Sequence, residues 1–163
     1  LARAGGDQDA GDSVHLHEFP QVPQDWRNDM VAARWEKMKK IRRVVTGALE
    51  IERAAKRIGS SLEAAPDVFI SDAALLDAVR DVDLADISIT SAITVVEGPA
   101  PDGAFTLPDV PGVAVVIGRA EGKKCARSWQ VTTDVGSDPA YPDISARDAD
   151  AMREIDAIAK KAG

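Results

Sequence analysis

The stretch from about Asp25 to Ile58 constrains the chain most, because it admits one regular structure. Apolar residues recur at Val31, Trp35, Met38, Ile41, Val45, Ala48, Leu49, Ala55 and Ile58. That three-to-four spacing puts them on one face of a long helix. No Pro interrupts the run, Asp25 reads as its N-cap and Gly59 as its C-cap, and Trp26 and Trp35 are read as core residues. The other faces carry Arg34, Lys37, Lys39, Lys40, Arg42, Arg43, Arg53, Lys56 and Arg57 against only Glu36, Glu50 and Glu52. A helix of this kind packs on protein through its stripe and faces a polyanion with its basic back. The same residues also fit a merely solvated face, steadied by Glu36–Lys40 and Glu52–Lys56 pairs at i,i+4.

The net charge of -7 taken alone argues against a nucleic-acid binder. The basic residues are concentrated on the helix, however, and phosphate responds to the local field within about 10 Å at cellular salt. An apolar fraction of 45% over 163 residues supports a core in one compact domain or two small subdomains. The single Cys excludes an internal disulfide. No run approaches a membrane span and no charged-then-apolar leader opens the chain, so a soluble, cytoplasmic setting is expected. The absence of an initial Met suggests a fragment of something longer.

Residues 1–12 are small, Gly-rich and acidic and read as a flexible linker. Ser13 to Phe19 alternates Val14 and Leu16 with His15 and His17, a short extended segment with both His on one side. Two imidazoles alone fall short of a metal site. Pro20 and Pro23 then break the strand. After Gly59, Ser60 to Ile70 is β-prone, with Pro66 implying an irregular or edge strand. Ser71-Asp72 caps a short helix through Arg80, and the alternation from Asp86 to Glu97 predicts a strand. Residues 98–112 are rich in Pro and Gly and predict an exposed loop held at Phe105 and Leu107. Val113 to Ile117 is a short strand, residues 118–122 a turn, and Lys123 to Gln130 a strand or ribbon arm. A helix from about Ser145 to Lys161 closes the chain, with Ala149, Met152, Ile155 and Ala159 on one face.

The most unusual local sequence is Lys123-Lys124-Cys125-Ala126-Arg127-Ser128-Trp129. A Cys followed three places on by a second ligand position, and then Trp, has the layout of half a zinc ribbon, Cys-x-x-Cys-Trp. The second half would fall at Ser145-Ala146-Arg147-Asp148. A structural zinc needs four thiolate or imidazole ligands. Only Cys125 qualifies outright, with Asp148 a weak second, so zinc is predicted absent and packing must hold the lobe. Cys125 as a nucleophile lacks a nearby base in sequence. No phosphate-binding Gly loop, Gly-x-Ser-x-Gly turn or metal-ligand cluster stands out.

A family resemblance rests on several of these pieces together. They are Val14-His15-Leu16, Phe19-Pro20, Leu49-Glu50 with Arg53, Lys56 to Ala64 with its Ile-Gly-Ser-Ser-Leu-Glu-Ala run, and Gly122 to Trp129. The chain resembles the C-terminal part of the bacterial isoleucyl-tRNA synthetases, class I aminoacyl-tRNA ligases, over nearly its whole length from about residue 13. The resemblance implies that the catalytic domain, which uses ATP and Mg, and the editing domain precede this segment, so the fragment is expected to be inactive by itself. In those relatives the appendage ends in a four-Cys zinc ribbon. This chain keeps Cys125, Arg127 and Trp129 but has Ser128, Ser145 and Asp148 at the other three ligand positions.

The expected fold is α+β: a long amphipathic helix, a small mixed or antiparallel sheet subdomain, and a relic zinc-ribbon-like lobe with a C-terminal helix. The expected divisions are 1–12 linker, 13–59 end of the anticodon-binding helical domain, 60–118 small α/β subdomain, and 119–163 relic lobe. The expected partners are the tRNA(Ile) anticodon stem-loop and the rest of the synthetase, not DNA or membrane. The stripe that awaits missing helices is expected to leave the long helix partly exposed or self-associated. The candidate RNA-binding residues are Lys39, Lys40, Arg42, Arg43, Lys123, Lys124, Arg127 and Trp129, with no catalytic or metal residues. Trp129 is read either as a stacking platform for an anticodon-loop base or as a core residue of the ribbon. The competing function is a brace for the synthetase that makes no RNA contact.

Overall fold

The computed structural model describes residues 20–162. The linker expected at 1–12 and the His15/His17 segment lie outside the described residues. The long helix is present as α1, Asp29–Ala54, but both ends differ from the sequence expectation. Asn28 is the N-cap, its side-chain oxygen accepting from the Val31 N–H at 3.1 Å, while Asp25 lies in a short 3-10 turn at Gln24–Trp26. At the other end Lys56 turns left-handed at φ 56°. The N–H of Lys56 then donates to the Arg53 carbonyl and that of Arg57 to the Glu52 carbonyl, the Schellman closure that more often uses Gly. Arg57 clasps Glu52 with two hydrogen bonds, 2.5 and 2.7 Å. Gly59 is therefore not the cap.

Four strands form a sheet in the order β2-β1-β4-β3, with β1 Asp67–Ile70, β2 Thr94–Glu97, β3 Phe105–Thr106 and β4 Val113–Val116. β1 pairs parallel with β2 and antiparallel with β4, placing Val68 between Val95 and Val115. β1 is thus an interior strand; Pro66 stands just before it and does not make it an edge. A parallel neighbour requires a crossover, which is supplied by α2, Ala73–Val79, and α3, Leu84–Ser88. Asp72 caps α2 as expected, accepting from the Ala74 and Leu75 N–H groups.

The single strand expected over Asp86–Glu97 is instead the end of α3, a left-handed Ile89 and β2. Asp83 accepts from the Ala85 and Asp86 N–H groups and starts the helix. This local cap overrides the period-2 pattern. Residues 98–112 likewise contain β3 and a buried Val110 and are not wholly an exposed loop.

The core lies where α1 crosses the sheet. Met38, Ile41, Val44, Val45, Ala48 and Leu49 meet Val68, Ile70, Val110, Val113 and Val115. Gly47 sits inside α1 where a Cβ would lie 2.9 Å from the Phe105 ring, so the helix accepts about 1 kcal/mol of lost propensity to seat an aromatic. The N-terminal third of α1 and the 3-10 turn before it stay outside this core. Trp26 is 70% exposed, Met30 82% and Trp35 45%, which corrects the reading of both Trp as core.

The remaining lobe joins β5, Lys123–Lys124, and β6, Val131–Thr132, in a hairpin followed by α4, Ala146–Ala162. Gly122 (φ 113°) lets the hairpin close, because a Cβ there would lie 2.2 Å from the Thr132 carbonyl oxygen. The Ser91 hydroxyl ties lobe to body: it accepts from the Val131 N–H at 2.7 Å and donates to the Leu62 carbonyl at 2.6 Å. Only the first turns of α4 are covered. Ala149 is buried and Met152 half-buried, but Ile155 and Ala159 on the expected apolar face are exposed. The architecture is α+β.

Candidate nucleic-acid interface

The β5–β6 hairpin turns through a tight knuckle, residues 125–129. The Cys125 N–H donates to the Gln130 carbonyl at 2.8 Å and the Trp129 N–H to the Cys125 carbonyl at 3.0 Å. This fold-back buries Cys125 and sends its neighbours outward. Lys123, Lys124, Arg127 and Trp129 are all exposed. The Trp129 indole is 62% exposed, and the Lys124 ammonium stands 5.2 Å from its ring centroid. Of the two readings of Trp129, core residue and surface platform, the core reading does not fit that exposure. Trp129 also holds φ 64°, a region that L residues seldom occupy.

Arg127 reaches back over the lobe. Its Nη1 donates to the Met152 Sδ at 2.7 Å, and its Nε lies 3.7 Å from Asp148 Oδ1.

Behind this exposed face the four ribbon positions come together. The Cys125 thiol donates to Asp148 Oδ2 at 3.0 Å, and the Ser145 hydroxyl to the same oxygen at 3.1 Å. The N–H groups of Ser128 and Ser145 point at the Cys125 sulfur from 3.5 and 3.4 Å. Among the described residues the Ser128 hydroxyl is buried without a hydrogen-bond partner. The Cys125 thiol, the Ser145 hydroxyl and Arg147 hold the Asp148 carboxyl below the usual carboxylate range, the thiol having the largest influence. This donor set does not fit a structural zinc. It offers one thiol and one carboxylate, and the other two positions are neutral hydroxyls, which ligate zinc poorly. Among the described residues no group of three or more His, Cys, Asp or Glu side chains is placed to hold a metal.

The cations of α1 are arranged differently from the sequence expectation. Arg42 Nε donates to the Ile87 carbonyl at 2.8 Å, and Arg34 Nε to the Ala78 carbonyl at 2.9 Å. Both therefore clamp the crossover helices. Arg43 pairs with Asp109, and Lys39 with Glu36 at 2.6 Å. Glu36 thus takes Lys39 and not Lys40, and Glu52 takes Arg57 and not Lys56. Lys40 is exposed, and among the described residues no ion pair involves it. Of the four helix candidates, Lys40 has no ion-pair partner among the described residues, while Arg42 serves the fold. The helix and knuckle candidates belong to separate elements, α1 against the sheet and the hairpin beyond it.

Sequence reasoning missed the clamping role of Arg34 and Arg42, because the acceptors are backbone carbonyls more than 40 residues away. It also missed Ile89, which is 55% exposed at φ 58°. An Ile where a helix ends, preceded by the Asp83 cap, was the available signal.

No family model matches the chain. Its sequence relatives are aminoacyl-tRNA ligases. In particular, isoleucine–tRNA ligase of Brucella abortus biovar 1 (strain 9-941) is 59% identical over 148 residues, covering 91% of this chain and 15% of that protein. The isoleucine–tRNA ligase of Bartonella quintana (strain Toulouse) is 60% identical over 148 residues, with the same coverage. That of Agrobacterium fabrum (strain C58 / ATCC 33970) is 60% identical over 147 residues, 90% of this chain and 15% of that protein. The chain is homologous to a C-terminal segment of the isoleucine–tRNA ligases. It spans about 15% of the length of the curated relatives it matches.

Proposed function

We propose that the chain is the tRNA-binding, anticodon-side segment of a cytoplasmic isoleucine–tRNA ligase, which joins isoleucine to tRNA(Ile) using ATP. Activation and editing then belong to the rest of that protein. The observation that carries this reading is the knuckle, where Lys123, Lys124, Arg127 and a 62% exposed Trp129 share one short turn. The cations supply salt-dependent attraction to phosphates, and the indole offers a face to an unpaired base of the anticodon loop. On α1, Lys40 extends the same role, with Lys39 and Arg43 available after exchange of their carboxylate partners. Arg42 contributes through the fold.

In this reading the lobe is a relic zinc ribbon in which hydrogen bonds among Cys125, Ser145 and Asp148 stand where a metal would. Replacing Ser128, Ser145 and Asp148 together by Cys supplies four thiolates. The triple variant should take up one zinc per chain by elemental analysis, while the natural sequence takes up none. Failure of the variant to bind zinc would reject the ribbon ancestry of the knuckle.

A second reading has its own support. Arg34, Lys39, Arg42 and Arg43 all bond to protein acceptors, as expected of a brace that leaves RNA to other domains. Deleting residues 119–163 from a full-length ligase carrying this segment separates the two readings. RNA binding predicts that the KM for tRNA rises by roughly tenfold, about the loss of one stacked base and its neighbouring phosphate contacts. The brace predicts unchanged charging kinetics with a lower thermal midpoint.

A further inference from the structure

The β3 edge of the sheet is only half covered. The pairing of Phe105 with Val115 would set Gly103 opposite Ile117 if β3 ran on. Instead Gly103 turns away at φ 83°, and the Ala104 N–H donates to the Pro101 carbonyl at 3.3 Å. The chain of β4 does run on. The Ala65 N–H donates to the Gly118 carbonyl at 2.8 Å and the Ala120 N–H to the Glu63 carbonyl at 2.9 Å, with a bridge between Ala64 and Arg119. Gly118 and Ala120 thus turn toward the β1 side, and antiparallel alternation turns the backbone groups of Ile117 and Arg119 outward. Among the described residues neither Ile117 nor Arg119 makes a backbone hydrogen bond.

Two contiguous hollows lie along this open length, with volumes of about 560 and 630 Å³, and both include Glu52, Arg57 and Ile117. The first has an apolar floor of Ala48, Ile51, Phe105 and Val116, and Ile51 is 49% exposed. The second is walled by Lys56, Arg57 and Arg119. Glu52 is taken by Arg57, and Glu63 lies 3.5 Å from Arg119. That leaves Lys56 with no ion-pair partner among the described residues.

We infer that this edge receives an extended strand from another part of the parent ligase, one carrying an apolar and an acidic residue two positions apart. The inference rests only on the chain being a segment of a longer ligase, not on RNA binding at the knuckle. Outward N–H and C=O groups at a two-residue spacing match a polypeptide backbone, which adds to an open sheet edge. Side chains on alternate residues of the added strand would share the face of Ile117 and Arg119. The one beside Ile117 meets the apolar floor at Ile51, and the one beside Arg119 meets the cations. A second copy fits poorly, because a two-fold axis here would bring Lys56 and Arg119 toward their own counterparts. RNA fits poorly too, since a phosphate has no donor for the Ile117 carbonyl and leaves the apolar floor unused. The chain spans 15% of the length of the relatives it matches, so a strand from the remainder is covalently tethered and held at high effective concentration.

The test measures amide hydrogen exchange in a full-length ligase carrying this segment, free of tRNA, and in the 163-residue chain. The Ile117 and Arg119 amides should exchange roughly tenfold or more slowly in the ligase, the weight of about one net hydrogen bond. The Val68 and Val115 amides, inside the sheet in both, report that the chain is folded. Within the ligase, Arg119→Glu repels the acidic residue and should return the Ile117 amide to fast exchange. Arg119→Pro, which removes one outward N–H and leaves the bonds at Gly118 and Ala120, should do the same. A benzophenone amino acid at position 51 should cross-link to a ligase segment outside residues 1–163 that has an apolar and an acidic residue two apart. Equal exchange in ligase and chain, or Ile117 protection that survives both Arg119 variants, would overturn the proposal. So would protection that appears only when tRNA is added, or a cross-link confined to residues 1–163 or to a second copy. The Lys123→Gln/Lys124→Gln variant should keep the protection, so failure of RNA binding at the knuckle is read separately.

Discussion

Asp148 collects the hydrogen bonds that keep the knuckle closed, from the Cys125 thiol and the Ser145 hydroxyl. Removing it as Asp148→Ala leaves two buried donors without an acceptor and should cost about 1–3 kcal/mol, measured by chemical denaturation of the chain. A loss below about 0.5 kcal/mol would mean that apolar packing alone holds the lobe. A pH dependence follows from two carboxyls. Asp134 is held below its usual range by the Thr132 hydroxyl first and the Ala146 N–H second, and Asp148 by the Cys125 thiol first. A depressed folded pKa contributes stability that is complete above the unfolded carboxyl value, near 3.9, and is lost as pH falls through the folded value. Thermal midpoints should therefore drop below about pH 4, and Asp134→Asn should flatten that acid limb while lowering stability at neutral pH. At this scale the sequence was informative for chemistry. Cys125, Ser128, Ser145 and Asp148 could be matched as one group because ligand spacing is local. That the thiol would bond to the carboxylate depends on a contact across 23 residues, which no spacing encodes.

The long helix shows what periodicity can and cannot say about an element. Its buried stripe from Met38 to Leu49 follows the three-to-four pattern and packs as read. The cations of its basic back have different partners: Arg42 bonds a backbone carbonyl, and Lys39 and Arg43 pair with carboxylates. Arg42→Gln removes a side chain that bonds the Ile87 carbonyl and should cost about 0.5–1.5 kcal/mol in stability, with little change in the salt dependence of tRNA binding. Lys40→Gln should do the reverse, leaving the thermal midpoint unchanged and weakening tRNA affinity. Equal effects of both substitutions on RNA affinity would restore the single basic face. The strand expected over Asp86–Glu97 failed for a reason of the same kind. Alternation of Ile with Ser and Thr fits a strand, but the Asp83 cap and the Schellman closure at Ile89 satisfy the backbone locally, and local satisfaction wins over pattern in a short segment.

At the scale of the whole molecule, the apolar surface around Trp26, Met30, Val31 and Trp35 lies off the core that α1 forms with the sheet. We propose that it receives other helices of the parent ligase, and that the isolated chain self-associates through it. Trp35→Ala should then leave the isolated chain's unfolding free energy within about 0.5 kcal/mol while lowering its sedimentation-detected association. A monomer at all concentrations would contradict this role. Among the described residues no helix is long and apolar enough to cross a membrane. The exposed cations and Trp129 of the knuckle are held out by a closed hydrogen-bonded turn. The most direct test of RNA binding there is the salt dependence of tRNA(Ile) binding by a full-length ligase in which Lys123, Lys124 and Arg127 are replaced by Gln. Three lost phosphate contacts should flatten the slope of log K against log salt by about 2 to 3, with weaker binding at low salt. An unchanged slope and affinity would contradict RNA binding at this turn.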